Sequence, residues 1–525
     1  MIYFIFSLIP ILIYLLVKTT KGLQILQQNR YNDNKWYIKW LIENKKTIFK
    51  NKDIIYILLF ILGFFIKDKI LMIISFILGL FILTSYLKIK KQEQNKKPLV
   101  YTKRVKRLIY TFLIVHIIII GLILYKFNIE LINYYYLIIT ILVYLNYFVL
   151  YLVNCINKPI EKMYFKHYKN QAIKKLNSLN YIKVIGITGS YGKTSSKNIL
   201  NDILNLKYNS FPTPKNFNTE IGLINTINNY LDKFNDYFIA EMGALNKDDI
   251  LKYCKLVKPT YGILTTIGQA HLETFGSQEN IQKGKFDLIE SLPSNGIGIL
   301  NADDKLQTSY KIKNNCKIVW VGIDNKDVDI YADKIKLSNK GTTFNIYFKK
   351  LKKAYPFETI LLGKNNIYNI LQAVALGYEL GMSIEELQRG VSKVKPVEHR
   401  LELKQNGNVT IIDDAYNSNP VGSKMALDVL NMMDGYKVIV TPGMVELGEK
   451  QYELNKKFGN YIADVCDEVI LVGKNQTKPI YDGLLEKKYK KKIHVIEDVK
   501  EAFTMIDRTK KTYVLLENDL PDIFL

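Results

Sequence analysis

The sequence predicts two architectures on one chain: a multi-span α-helical membrane region, followed by α/β domains. Three observations predict it. Five apolar runs precede residue 155. A strand-like run, Tyr181–Ile185, then leads into the glycine-rich stretch Gly186-Ile-Thr-Gly-Ser-Tyr-Gly-Lys193-Thr194. Beyond it, short β-branched runs alternate with helix-like stretches, as parallel strands with crossover helices do.

The apolar runs are Ile2–Val17, Ile54–Ile66, Ile70–Leu87, Leu108–Tyr125 and Leu131–Val153, read as spans by length and lack of charge. The first has no basic start and no small-residue cleavage site, so it reads as an anchor. Lys18–Asp53 and Lys88–Arg107 are rich in Lys and Arg, which assigns both loops to the cytoplasm. Five spans then place this protein in the cell membrane as a multi-pass chain. The N-terminus lies outside and everything after Val153 lies in the cytoplasm. The basic stretch Lys158–Lys175 is expected along an anionic leaflet. His116, inside the fourth run, reads as a hydrogen-bonded interior histidine rather than a proton relay.

Composition narrows the partners. The net charge of +24 would suggest nucleic acid on another chain. Here Lys accompanies Ile, Asn and Tyr throughout and clusters beside apolar runs, so nucleic acid is not expected as a partner. Four cysteines, Cys155, Cys254, Cys316 and Cys466, have neither zinc nor disulfide spacing.

The cytoplasmic half divides in two. Runs at Tyr237–Ala240, Gly262–Thr266, Gly298–Leu300 and Lys317–Trp320 predict strands of a first domain. Runs at Val409–Ile412, Lys437–Thr441, Glu468–Val472 and Thr512–Leu516 predict a smaller, Rossmann-like second one. The expected boundaries are 1–155 for the membrane region, 156–180 for a basic linker, 181–395 and 396–525.

The glycine-rich stretch carries the chemistry. After a strand and before a helix, Gly189, Ser190, Tyr191 and Gly192 can turn backbone N–H groups onto a phosphate. Lys193 adds positive charge, and Thr194 can offer its hydroxyl to Mg²⁺. A nucleoside triphosphate is thus the expected ligand. Glu241 ends the apolar run Tyr237–Ala240, where a carboxylate can hold Mg²⁺ directly or through water. His271 follows the next strand; a lone histidine is more often structural than a ligand.

Several motifs in order resemble the Mur ligases of peptidoglycan precursor synthesis and cell-wall biogenesis: GITGSYGKT, Pro214–Gly222, Gly262–Asp304 and Val397–Glu402. Asp413-Asp-Ala-Tyr-Asn-Ser-Asn-Pro420 is similar to the branch that joins D-Ala-D-Ala to a UDP-muramoyl tripeptide. The resemblance covers roughly Lys183 to the C-terminus. It implies a central P-loop ATP-binding domain, a C-terminal domain that closes on it, and the cofactors ATP and Mg²⁺. It implies that Lys193 and its loop hold phosphates, that Thr194 and Glu241 share one Mg²⁺, and that His271 ligates a second. It also implies that Lys285 is carbamylated, which turns a cation into a metal-binding, carboxylate-like group; Lys283 is the neighbouring alternative. Asn301 and Asn366 would lie around adenine. Arg400 would reach the nucleotide from the linker. Asn218 would bind substrate, and Asp414, Tyr416, Asn417 and Asn419 would belong to the closing face, contacting nucleotide and the incoming amine of D-Ala-D-Ala, although Asn, Ser and Pro together also make an ordinary turn.

The implied reaction is amide formation through an acyl phosphate. Two departures stand out. Asn365 occupies a position where the family often has His. Apolar runs also occupy the place of the usual uridine-binding domain. They suggest the membrane, and other cell-wall enzymes, as further partners, and they motivate an alternative: a lipid-linked acceptor. A non-catalytic nucleotide-binding scaffold and an ATP-driven transporter are weaker alternatives.

Overall fold

The computed structural model describes residues 2–518, apart from 30, 32–33, 46–50, 93–97, 127–130, 269–271, 339–340, 416–418 and 446. The described residues form two compact units, one up to residue 167 and one from residue 168 onward.

The first unit is helical. Its helices are Ile2–Gln28, Asn34–Glu43, Ile54–Leu62, Asp68–Gln92, Lys103–Lys126 and the part of Leu131–Ser178 up to His167. Apolar side chains meet in two clusters. One gathers Ile11, Tyr14, Tyr56, Leu59, Leu71 and Val143. The other gathers Leu23, Leu26, Tyr37, Leu108, Leu150 and Val153.

The expected five-span, multi-pass placement is corrected here. Among the described residues two helices are long and apolar enough to cross a membrane, Ile9–Gln28 and Asn133–Ser178, and Lys69–Ser85 is apolar but shorter. Half of the window in the first, and 44% in the second, is buried within the protein. Ile54–Leu62 has nine residues, and at 1.5 Å each it rises only about 14 Å. The topology argument fails as well, because Lys18–Asp53 is not an open loop. Its first eleven residues continue the first helix to Gln28. Lys18 and Asp53 are both buried. Lys18 Nζ donates to Asp53 Oδ2 at 2.8 Å and to the Val143 carbonyl at 2.9 Å, and Tyr14 donates to Asp53 Oδ1 at 2.6 Å. Two opposite charges with their hydrogen bonds filled can be buried; neither marks a cytoplasmic surface. His116 is satisfied locally, its Nδ1 2.8 Å from the Phe112 carbonyl.

The second unit holds two sheets. The larger has nine strands in the order β2-β3-β1-β4-β5-β6-β7-β8-β9. β1 is Lys183–Thr188, β2 Ser210–Pro212, β3 Tyr237–Glu241, β4 Tyr261–Leu264, β5 Ile297–Asn301 and β6 Lys317–Gly322. These and β7 (Ile330–Ser338) run parallel. β8 (Gly341–Phe348) and β9 (Lys353–Thr359) extend the sheet antiparallel. The predicted parallel core is present, whereas β2 and the β7–β9 extension were not foreseen. β7 alternates buried and open positions, so it lacks the continuous apolar run that marks a strand covered on both faces. Ile185, Ile187, Ile239, Ile263 and Ile299 lie in one core with the helices Lys193–Leu204 and Lys364–Glu379.

The smaller sheet has the order β10-β11-β15-β12-β13-β14. β10 is Glu402–Asn406, β11 Val409–Asp414, β12 Tyr436–Thr441, β13 Glu468–Val472, β14 Lys492–Ile496 and β15 Thr512–Glu517. Only the β10–β11 pair is antiparallel. Between the sheets, His399 and Leu401 hold left-handed backbones, at φ 59° and 51°. The last turns of the helix ending at Ser178 belong to this unit. There Lys169 pairs with Glu220 at 2.6 Å, and Lys175 donates to the Asn228 carbonyl at 3.1 Å. These lysines of the stretch expected along a lipid leaflet are bound to protein groups instead.

Candidate active site

Every phosphate-site residue sits at the carboxyl end of a parallel strand. β1 lies between β3 and β4, and the chain leaves it toward β2 and β3 on one side before crossing to β4 on the other. Such a switch point opens a crevice beyond the strand ends. The loop Gly189–Gly192 lines it. A side chain at Gly189 (φ 152°) would place Cβ 2.0 Å from Thr265 Oγ1, so the position admits only glycine. Gly192 (φ 83°) starts the helix Lys193–Leu204 from a left-handed backbone. Thr265 and Thr266 brace the loop from β4. The Thr266 carbonyl accepts from Ser190 N at 2.8 Å, and Thr265 Oγ1 donates to the Tyr191 carbonyl at 2.7 Å.

Lys193 Nζ donates back to the Gly189 and Ser190 carbonyls at 2.9 and 3.0 Å. Burial lowers its pKa to about 8; the Glu241 carboxylate opposes this and the Arg400 charge adds to it. Glu241, the last residue of β3, is fully buried. Its Oε1 accepts from Thr194 Oγ1 at 3.1 Å and from Asn218 Nδ2 at 3.2 Å. Its Oε2 lies 3.1 Å from Lys197 Nζ, an ion pair without hydrogen-bond direction, so that oxygen has no hydrogen-bond partner. Glu241 Oε1 and Thr194 Oγ1, two hard oxygen donors 3.1 Å apart, fit Mg²⁺, which keeps phosphate and water oxygens for the rest of its shell. Among the described residues no group of three His, Cys, Asp or Glu forms a closed metal site. His271 lies outside the described residues.

Lys285, on the helix Gln278–Glu290, is buried, while Lys283 is exposed. Burial and the neighbouring Lys193 charge hold the Lys285 ammonium well below its ordinary range, against a smaller pull from Asp249. No carboxylate among the described residues forms an ion pair with it.

Asn301, at the end of β5, turns its Oδ1 onto the Asp303 N–H at 3.0 Å. Asn366 Nδ2 donates to the Leu362 carbonyl at 2.8 Å, one turn before it. Tyr368 donates to Asp303 Oδ2 at 2.8 Å, which ties the two segments together. Sequence reasoning passed over the scaffold here. Gln307 Nε2 donates to the Thr265 carbonyl at 2.9 Å and Gln372 Nε2 to that of Leu264 at 2.7 Å. Both glutamines are buried. Gln372 amid Ile370, Leu371, Ala373 and Val374 was the visible signal: a polar residue inside an apolar helical run.

Arg400 lies between His399 and Leu401. Its charge lowers the pKa of Lys193 and also acts on Asp414, at the end of β11. Burial pushes Asp414 up to about 6, opposed by Arg400 and by the Leu401 N–H that donates to its Oδ1 at 3.3 Å. Asp413 accepts from Lys404 at 2.6 Å and meets His399 Nδ1 at 2.9 Å. Asn419 caps the helix Pro420–Asn431, its Oδ1 accepting from Gly422 N at 3.0 Å. Tyr416 and Asn417 lie outside the described residues.

The Mur ligase middle domain matches residues 187–377, and the Mur ligase glutamate ligase domain matches residues 399–516. A Bacillus subtilis (strain 168) protein named UDP-N-acetylmuramoyl-tripeptide–D-alanyl-D-alanine ligase is 33% identical over 297 residues, 56% of this chain and 63% of its own. The protein of the same name from Escherichia coli (strain K12) is 32% identical over 298 residues, 56% and 65% of the two chains. The chain therefore covers just under two thirds of these curated relatives. The solved MurF ligase of Thermotoga maritima, in complex with ADP, has a TM-score of 0.60 at 26% identity, covering 67% of this chain and 80% of that one.

Proposed function

We propose, from the premise that this chain belongs to the Mur ligase family through its middle and C-terminal domains, that it is an ATP-dependent amide ligase. The proposed substrates are a UDP-muramoyl tripeptide and D-Ala-D-Ala, and the setting is peptidoglycan precursor synthesis. Domain limits of 181–395 and 396–525 belong to this reading. The observation that carries it is the phosphate loop at the switch point between β3 and β4, with Lys193, Thr194 and Glu241 gathered there. The Arg400 charge is felt at both Lys193 and Asp414, as a linker cation between a triphosphate site and an amine-presenting domain would be.

A carboxylate does not condense with an amine at neutral pH unless it is activated. The peptide carboxylate would attack the γ-phosphate, forming a C–O–P bond as ADP leaves. The amine would then attack the acyl carbon, and phosphate would leave. Lys193 and the N–H groups of the loop would hold the phosphates. Mg²⁺ bound through Thr194 and Glu241 would supply charge neutralisation during phosphoryl transfer. Arg400 would hold the second domain against the nucleotide and keep water from the acyl phosphate. Lys285 supports the carbamylation reading, because carbamylation needs a neutral amine, and burial beside Lys193 favours one. His271, Asn301, Asn366, Tyr416 and Asn417 keep the nucleotide, metal and substrate roles that the resemblance implies.

The test is incubation of the full-length protein with ATP, Mg²⁺, D-Ala-D-Ala and UDP-muramoyl-tripeptide, with mass spectrometry for the pentapeptide. Pentapeptide with stoichiometric ADP is expected. Product only from a lipid-linked tripeptide would replace the acceptor. Product from neither would refute the ligase.

A further inference from the structure

We propose that Lys197 is a positioning residue for the Mg²⁺ face of the phosphate loop. It fixes which oxygen of Glu241 faces Thr194, and it ties that carboxylate to the segment carrying Asn218. This rests on the reading of Thr194 and Glu241 as Mg²⁺ donors.

Lys197 stands one turn after Lys193 on the same helix, yet only 1% of it is exposed. A lysine is seldom buried this deeply without a partner. Two partners account for it. Nζ lies 3.1 Å from Glu241 Oε2 and donates to the Lys215 carbonyl at 2.5 Å. Lys215 adopts a left-handed backbone, φ 48°, at the start of the run that leads to Asn218 and to Thr219, the cap of the helix Glu220–Asn229. Asn218 returns to Glu241 Oε1. One ammonium therefore joins the phosphate-loop helix, the end of β3 and the substrate-side segment.

The division of oxygens is the informative part. Oε1 has two directed donors, while Oε2 has a cation and no directed hydrogen bond. Among the described residues only Lys197 forms an ion pair with Glu241. A fully buried carboxylate without a counter-charge would turn away from the site. Lys197 gives Oε2 that counter-charge and fixes its direction while taking no place on the Thr194 side. Lysine suits the task because its ammonium is a compact point charge that can meet a carboxylate and a carbonyl at once. Groups that orient a metal ligand in this way commonly control metal affinity by ten- to a hundredfold.

The experiment is calorimetric ADP binding to the full-length protein, first in EDTA and then across an Mg²⁺ titration, for wild type, Lys197→Met, Lys197→Gln and Lys197→Arg. Metal-free ADP affinity should stay within about twofold in all four. The Mg²⁺ concentration at half-effect should rise about ten- to a hundredfold in Lys197→Met and Lys197→Gln, and Lys197→Arg should recover most of it. Lys197→Gln keeps a donor for the Lys215 carbonyl, so it stands in if Lys197→Met does not fold. An unchanged Mg²⁺ requirement in Lys197→Gln would overturn the proposal. So would a parallel loss of metal-free ADP affinity, which a merely structural role predicts. Wild-type ADP binding indifferent to Mg²⁺ would also overturn it. Wild-type protein that shows the Mg²⁺ effect but forms no pentapeptide would refute the ligase and leave the Lys197 assignment standing.

Discussion

The two sheets partner their buried carboxylates differently. The nine-stranded sheet buries charge of both signs: Glu241, Lys197 and Lys285 are each at most 3% exposed at one corner, and Lys193 titrates near 8 there. The six-stranded sheet also buries carboxylates, Asp413 and Glu468, but pairs them with bases that reach the surface. Asp413 meets a half-exposed His399 and Lys404, and the buried Glu468 meets His494 at 3.0 Å. Burying an ion is costly, and burying two lysines and a carboxylate beside a partly buried third lysine does not stabilise a fold. Such an arrangement is retained for what it binds. At the start of the second domain stands Arg400, whose charge is felt at Lys193 and at Asp414.

The largest effect should follow from removing charge at the buried corner. Lys193→Ala should lower ATP-dependent ligation about a thousandfold or more, measured as ADP release with both substrates present. A near wild-type rate would erase the contrast between the sheets. Lys285→Met should cost about a hundredfold or more in the same assay. Bicarbonate depletion of the wild type should lower activity, and ¹³C-bicarbonate should give a carbamate resonance absent from Lys285→Met.

A smaller effect is set by pH. Free Lys193 loses its proton near 8, and bound phosphate would raise that value. Binding therefore takes up a proton once the pH passes about 8. ADP affinity should be flat below that point and fall above it, by at most about tenfold per pH unit. Lys193→Arg should flatten the slope, since guanidinium stays charged throughout. The smallest effect belongs to the second domain. Asn419→Ala should lower the unfolding free energy by about 1 kcal/mol through loss of the cap, read by denaturant titration. A loss of ligation far beyond that destabilisation would show that Asn419 also touches substrate.

Much of this was legible from residues alone. Buried parallel strands announce themselves as unbroken apolar runs, so β1, β3, β4, β5 and β6 were found at nearly their observed positions. β7, β8 and β9 were missed because one face of them is open to water and breaks the run. The phosphate loop was legible because glycine spacing is local. Lys197 was not, because its meaning lies in Glu241 and Lys215, residues distant in sequence. The helical unit misled most. Apolar length was read as span, yet the helices direct much of that surface at one another, around the buried Lys18–Asp53 pair. Charge read as a cytoplasmic signature was partly charge inside the protein.

Arg400 stands between two non-glycine residues in the left-handed region. Each such residue costs roughly 1–2 kcal/mol relative to ordinary backbone. The arginine is thus mounted on a wound torsion spring. Any swing of the linker that returns His399 or Leu401 to extended backbone releases that energy, and any swing back must restore it. The strain belongs to the linker rather than to either sheet, so glycine at position 399 or 401 would relieve it without touching substrate or metal.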